Sequence, residues 1–398
     1  MNSKIIGIVG AKSSGVNMAI TVAKANHSVL IYDPNPVLLQ QVTSRVRKVM
    51  EKWQQRNLLT PKEANLLVER ICPVSTIKSL SSADAIFETG SESLEKKKEL
   101  FKSLDEFSPE SIILVSTSAF ISVTTLASVC FFKKRVIGMQ IHHQSSMASL
   151  IELSQGMDTS REVLKQSIEL GRSLAKEVVI CYDMPGLIVH RVSRNFFGEA
   201  LRIFEEGTAS MLEIDAFMRQ AGGFHLGPFE LLDCLGIDKT YISDLELYNA
   251  FFQEPRFRPT HLMKTLFESG YYGKKSGRGF YDYSINEAAP RMAIQQSEQE
   301  AARKFFQNHY ISLFMVKQAV FARIIAMLVN EALFCVQENV SSEGDVDLAM
   351  KYGMSFPKGP IEWGREIGFD KIASVLNALY NEFRDDRYRP APLLKIYQ

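Results

Sequence analysis

Apolar and polar positions alternate in two different ways along this chain. Through the first 180 or so residues, short β-branched runs recur: "KIIGIVG", "HSVLIYD", "ADAIFE", "SIILVST", "RVIGMQI" and "EVVICYD". Charged stretches with helical spacing, such as "SLEKKKELFKSLDEF", stand between them. Short apolar strands alternating with helices predict a mostly parallel sheet covered on both faces. After the second run comes a long, amphipathic and basic helical insert, from 36 to about 71. From "MPGLIVHR" onward, after residue 184, the strand pattern stops and the chain reads as helices throughout.

The helical part repeats itself. "HRVSRNFFGEAL" at 190–201 lines up with "ARIIAMLVNEAL" at 322–333. At the same offset "EIDAFMRQAGGFHLGPFELLDCLGIDK" lines up with "DVDLAMKYGMSFPKGPIEWGREIGFDK". The pairs Arg191/Arg323, Glu199/Glu331, Asp215/Asp347, Gly227/Gly359 and Gly236/Gly368 are each 132 positions apart without a gap. That register implies a duplicated helical domain. The expected organisation is an α/β domain over 1–183 carrying the insert at 36–71, a helical domain over 184–284, a polar linker over 285–303, and a second helical copy over 304–398.

Composition narrows the classes. With 46% apolar and 23% charged residues the chain is an ordinary globular protein, long enough at 398 residues for two or three domains. A net charge of +1 without a basic block argues against a nucleic-acid partner. Five scattered cysteines with no CxxC point to reduced thiols rather than a disulfide frame or a zinc site. Residues 111–132 are uncharged and long enough to span a bilayer, but eight of the 22 are Ser or Thr. A strand, a polar turn and a helix account for them better. With no signal-peptide pattern at the N-terminus, a cytoplasmic protein without a membrane partner is expected. The lone histidines His225, His261 and His309 lack ligand spacing, so no metal is expected.

Between the first strand and first helix lies Gly10-Ala11-Lys12-Ser13-Ser14-Gly15. A dinucleotide fingerprint puts glycines at the first, third and sixth of these positions: for the turn, for approach of the pyrophosphate, and for helix packing. The first and last are present; Lys12 holds the middle. Asp33 follows Gly15 by 18 residues, where a carboxylate accepts ribose hydroxyls. Together these predict a Rossmann domain and an NAD site. At Lys12 a Cβ crowds the pyrophosphate or strains the backbone by ~1–3 kcal/mol; alternatively its ammonium pairs with a phosphate. A vestigial site is the competing expectation.

At this point the chain resembles the L-3-hydroxyacyl-CoA dehydrogenases over nearly its whole length. The family's "E-x-x-x-E-x-x-x-x-K" corresponds to "ETGSESLEKK", giving Glu88, Glu92 and Lys97. Its "NTS" corresponds to "STS" with Ser118, and its "DTPGFIVNR" to "DMPGLIVHR" from Asp183. "GPFELLD" recurs unchanged at 227–233, and "GKKTGEGFYxY" as "GKKSGRGFYDY" at 273–283. The duplicated helical copy is what bacterial fatty-acid and phenylacetate-pathway members carry.

The resemblance implies oxidation of a 3-hydroxyacyl-CoA, or the reverse, with NAD. A base must take the hydroxyl proton as hydride leaves carbon. In the family a histidine in "G-[LM]-H-F-F-N-P" does so, a glutamate twelve residues later orients it, and the NTS serine and the asparagine of "IVNR" hold the substrate oxygen. Ser118 and Glu152 are retained, but the histidine position is Gln140 and the asparagine position is His190. Glutamine hydrogen-bonds a carbonyl but carries no proton near neutral pH. Glu92 and Lys97 correspond to cofactor contacts on the nicotinamide side, though "SLEKKKEL" is equally a solvated helix start, and Lys275 to a lysine approaching the cofactor, or to a solvated turn lysine. Arg45, Arg47, Lys48, Lys52 and Arg56 on the insert are candidates for the phosphates of coenzyme A, or simply a wet helix face.

Two main readings stay open, beside a third in which the substrate is another small hydroxy acid on the same scaffold. In one the protein is a working dehydrogenase in which His190 supplies the acid/base. In the other it is an inactive relative binding acyl-CoA, NAD or both as a sensor or complex subunit. His142 is expected on the same strand face as Gln140 but roughly 6–7 Å further along, too far to take over unless the strand end is remodelled. His143 is expected on the opposite face, both being partly exposed strand-end histidines. A second helical copy covering the apolar face through which single-copy members pair implies a monomer or a homodimer.

Overall fold

The computed structural model describes residues 3–90, 93–144, 147–284, 291–292 and 313–397. The chain forms two compact units, Met1–Leu187 and Ile188–Gln398. The first contains eight strands: β1 (Ile5–Val9), β2 (Ser28–Tyr32), β3 (Ile71–Pro73), β4 (Ala85–Glu88), β5 (Ile113–Ser116), β6 (Val136–Gln144), β7 (Met147–Gln155) and β8 (Ala175–Tyr182). They make one sheet in the order β3-β2-β1-β4-β5-β6-β7-β8, with every pair parallel except β6–β7. The order reverses at β1, which opens a crevice beyond its carboxyl end.

Buried residues of adjacent strand positions go to opposite faces. Ile8, Phe87 and Val115 join one apolar core, while their neighbours Val9, Ile86 and Leu114 join the other. Helices α1 (Ser13–Lys24), α3 (Val42–Gln55), α4 (Pro61–Glu69) and α7 (Arg161–Leu174) cover the first core, preceded in the insert by short α2 (Pro36–Gln40). Helices α5 (Leu94–Phe107) and α6 (Val123–Ala127) cover the second. Residues 111–132 form β5, a polar turn and α6.

The insert is a helical hairpin rather than one long helix. Asn57 turns the chain at φ +55°, and Thr60 then caps α4 in a reciprocal box with Glu63, with Pro61 in the first turn. Two strands lie outside the runs picked from sequence: the three residues of β3, and β7, "MASLIELSQ", which returns antiparallel to β6.

The second unit is helical: α8 (Val189–Glu205), α9 (Met211–Gly222), α10 (Pro228–Leu235), α11 (Ile237–Ala250) and α12 (His261–Glu268), then α13 (Leu313–Gln337), α14 (Glu343–Gly353), α15 (Pro360–Ile367), α16 (Phe369–Phe383) and α17 (Leu394–Tyr397). Helices α9, α10 and α11 begin 132 positions before α14, α15 and α16. Of the linker expected at 285–303, only 291 and 292 fall among the described residues. The "GP" motifs are helix starts. Asp215 accepts the amides of Phe229 and Glu230 at 2.9 and 3.1 Å, and Asp347 those of Ile361 and Glu362 at 2.8 and 3.0 Å. Helix α13 is long and apolar enough to cross a membrane, yet it is mostly buried against α8, α15 and α16. A helix apolar all round belongs in a core.

The repeats exchange buried ion pairs. Arg191 of the first copy donates Nε and Nη2 to Glu331 of the second at 3.0 and 2.7 Å. Arg323 of the second donates to Glu199 of the first, and to Glu206 at 2.6 and 2.8 Å. Arg256 reinforces the first cluster through Glu331 at 2.7 Å, and Arg387 sits 3.8 and 3.7 Å from Glu199 and Glu206 in the other. Each copy thus supplies cations to one cluster and carboxylates to its mate, the reciprocity of a two-fold interface enclosed within one chain.

Candidate functional site

A cleft of about 610 Å³ lies in the first unit, lined by Gly10, Lys12, Asp33, Glu88, Gly90 and Lys97 among others. It sits at the carboxyl ends of β1, β2 and β4, where open α/β sheets bind ligands. Gly10 has φ +112°, and a Cβ there would meet Thr89 Oγ1 at 2.8 Å. A Cβ on Gly15 would lie 1.8 Å from the Gly10 carbonyl oxygen. Both glycines are required by the turn. The middle position is not: Lys12 precedes α1 at φ −72° and ψ −174°, extended backbone that any residue adopts. The strain expected at Lys12 is absent, and its exposed side chain stands at the rim of the cleft.

Asp33 is buried and accepts the amides of Ala11 and Asn35 at 2.7 and 2.8 Å. A carboxylate has about four lone-pair sites, so two remain for ribose hydroxyls. Arg45 of the insert donates to the carbonyl of Ala11 at 3.0 Å, bracing the glycine turn. Lys97 is not a solvated helix lysine. It is 1% exposed and ion-paired with equally buried Glu88, whose second oxygen accepts the amide of Gly90 at 2.7 Å. Glu88 was legible as a carboxylate nine positions before that lysine, at a strand end. Glu92 lies outside the described residues.

A second set of residues stands where β5, β6 and β7 lie side by side. Ser116 of β5 is level with Gly138 of β6, and Gly138 with Ser154 of β7. Two residues further along β6, Gln140 directly faces Glu152. Ser118 lies two residues past Ser116, is buried, and accepts the amides of Phe120 and Ile121, each at 3.3 Å. The glutamate does not stop at its cross-strand neighbour. His142 Nε2 is 2.7 Å from Glu152 Oε2, with the carboxylate side chain fully buried and the imidazole 12% exposed. Spacing along β6 alone set His142 too far from Gln140 to take over unless the strand end is remodelled, and here its imidazole meets Glu152 beside a shift in register. Diagonal cross-strand neighbours lie within reach of long side chains, and Glu152 leans toward His142. The pairing register shifts immediately after His142, a bulge that remodels the strand end.

Two further candidates, His190 and Lys275, belong to the helical unit. His190 is half-buried in the first turn of α8. Lys275, in a 3₁₀ turn, pairs its ammonium with Asp238 and lies 5.3 Å from the Tyr272 ring. Asp183 of "DMPG" has a plain structural role, accepting the hydroxyl of Ser122 and the amides of Val123 and Thr124 at the start of α6.

Comparison with known proteins accords with this geometry. The family model for the 3-hydroxyacyl-CoA dehydrogenase NAD binding domain matches residues 5–184, and that for the C-terminal domain matches residues 186–283 and 320–397. A 3-hydroxyadipyl-CoA dehydrogenase of Escherichia coli (strain K12) is 30% identical, the match covering 99% of this chain and 97% of the relative. A probable 3-hydroxybutyryl-CoA dehydrogenase of Bacillus subtilis (strain 168) is 32% identical over 71% of this chain and 98% of its own. The crystal structure of a 3-hydroxybutyryl-CoA dehydrogenase from Escherichia coli K12 superposes with a TM-score of 0.86 at 28% identity, covering 100% of this chain and 98% of that one.

Proposed function

Since the chain belongs to the 3-hydroxyacyl-CoA dehydrogenase family, with the family's NAD-binding domain, we propose that it interconverts a 3-hydroxyacyl-CoA and its 3-oxoacyl-CoA. The observation that carries this reading is the nucleotide cleft. Gly10 and Gly15 make the tight strand-to-helix turn that lines the cleft, Asp33 keeps lone pairs for a ribose, and Lys12 is accommodated without strain. A decayed site has no reason to preserve those contacts. NAD, when bound, takes the hydride from C3 or returns it. Lys12 at the rim is placed to meet a phosphate with its ammonium. Ser118 and Gln140 hold the substrate oxygen, and Glu152 orients an imidazole.

Gln140 favours the second reading, an inactive relative that binds acyl-CoA or NAD within a larger assembly, because an amide moves no proton. Oxidation of NADH by the purified protein with acetoacetyl-CoA separates the two. A rate that saturates in both ligands is the expected result. Binding of both, seen as NADH fluorescence changes and thioester titration, with no turnover would establish the inactive reading.

A further inference from the structure

We infer that His142 is the acid/base group of this protein and that Glu152 positions it, the pair standing two residues along β6 from the place Gln140 holds. The inference rests on the dehydrogenase reading above.

Four observations meet at this residue. The carboxyl-edge line runs through Glu88, Ser116 and Gly138, level with one another on adjacent strands, and β6 continues past it to His142. The imidazole thus stands on the side of the sheet where open α/β folds bind ligands. Next, Glu152 is a fully buried carboxylate, which is costly unless a charged or donating partner compensates it. His142 Nε2, at 2.7 Å, is such a partner. Third, the ladder shifts register beside His142. The pairing passes from His142↔Leu150 to His143↔Ala148, which places the extra residue, Ser149, on β7, and the Ser149 hydroxyl donates to the His142 carbonyl at 3.2 Å. Bulges beside sites re-aim side chains in this way. Finally, Gln140 faces Glu152 directly yet carries no proton, whereas His142, bonded to the same carboxylate, can carry one.

The chemistry follows from the tautomer. A neutral imidazole has one donor and one acceptor nitrogen. With the Nε2 proton directed at Glu152, Nδ1 is the nitrogen that accepts. In the oxidative direction the O–H bond at C3 breaks and its proton passes to Nδ1. With NAD bound, the C3–H pair would leave to it as hydride as C3=O forms. The resulting imidazolium rests against the Glu152 carboxylate, as in a carboxylate-supported histidine base. In the reverse direction the same proton returns to oxygen. Gln140, one pleat back, keeps an amide for the carbonyl oxygen without competing for the proton.

The test uses the full chain, with NADH and acetoacetyl-CoA as probes, and compares His142→Asn, Glu152→Gln and the double variant His142→Asn/Gln140→His. The expected result for His142→Asn is a loss of about 10²–10⁴-fold in kcat, with the NADH dissociation constant from fluorescence titration within twofold of wild type. Glu152→Gln should lower kcat and alter the pH profile of kcat/KM while KM moves less. The double variant returns an imidazole to the position directly facing Glu152 and should recover at least tenfold over His142→Asn. Retention of more than a tenth of the wild-type kcat by His142→Asn overturns the inference and leaves the dehydrogenase reading standing. A tenfold loss of NADH binding in that variant, or no recovery in the double variant, also overturns it. Absence of turnover in the wild type, with NADH still bound, defeats the reading itself and the inference with it.

Discussion

Replacing Glu331 by Gln tests whether the exchanged ion pairs hold the two helical copies together. Its carboxylate serves two guanidiniums, Arg191 and Arg256, whose side chains are 0% and 4% exposed. An amide of the same shape keeps the packing but leaves two buried cations facing one charge fewer. Breaking a buried pair from one side costs about 3–5 kcal/mol. Glu338, 2.8 Å from Arg191 but 28% exposed, takes part of the load and favours the lower end. At roughly 2–4 °C per kcal/mol for a unit of this size, the melting temperature should fall by about 6–20 °C. Glu199→Gln, its mate 132 positions earlier, should cost a similar amount, because Arg323 and Arg387 depend on it in the same way. Glu268→Gln, which removes an exposed i,i+4 pair with Lys264, should shift the melt by no more than about 2 °C. Thermal denaturation followed by far-ultraviolet circular dichroism reads all three. A melt for Glu331→Gln within 2 °C of wild type would refute the argument, as would a large loss for one mate and none for the other.

Four further outcomes follow from the same geometry. Burial alone would raise the pKa of Glu199, but the guanidiniums of Arg323, Arg387 and Arg202 and the Tyr388 hydroxyl hold it below the ordinary 4.5. Its contribution is therefore present above that value and lost as pH falls through the lower folded-state pKa, so urea midpoints of wild type and Glu199→Gln should converge in strong acid and diverge toward pH 6. Lys12→Ala should weaken NADH binding by up to about fivefold at low salt and much less at 1 M salt; an equal effect at both would place the ammonium away from phosphate. Burial pushes the thiols of Cys130 and Cys335 up to about 12, so in the native protein a thiol-specific chromophore should label exposed Cys72 and Cys234 quickly and spare the buried three. His190→Asn, which introduces the residue that the motif resemblance implies at that position, should raise KM more than it lowers kcat; a hundredfold loss of kcat would return the proton to His190.

How far the sequence carries depends on whether a feature is local or paired. The glycine turn, Asp33 and the helix starts of the repeat are local, and each stands where chain periodicity and spacing place it. The capping box of Thr60 and Glu63, with Pro61 between, was equally available as a break in the insert, but continuous amphipathicity across 36–71 outweighed it. The exchanged clusters were half legible. Arg191, Glu199, Arg323 and Glu331 announce themselves by their common offset, and "RFRP" at 256–259 and "RYRP" at 387–390 repeat almost in step. That Arg191 meets Glu331 rather than its own Glu199 is a tertiary fact, set by how α8 packs on α13.

The histidine shows the limit most clearly. Measuring from Gln140 along one strand puts an imidazole two residues away out of reach, and that distance is correct for the backbone. What the measurement omits is β7. Its run "MASLIELSQ" opens with small and polar residues, so it does not stand out as a strand, and without it there is no cross-strand diagonal to consider. Once β7 lies antiparallel to β6 with Gln140 opposite Glu152, a buried glutamate can lean by one pleat and meet the His142 ring at 2.7 Å. On the inference that His142 carries the proton, Gln140 and His142 amount to a single change: the carboxylate keeps its place on β7, and its imidazole partner stands one pleat along β6.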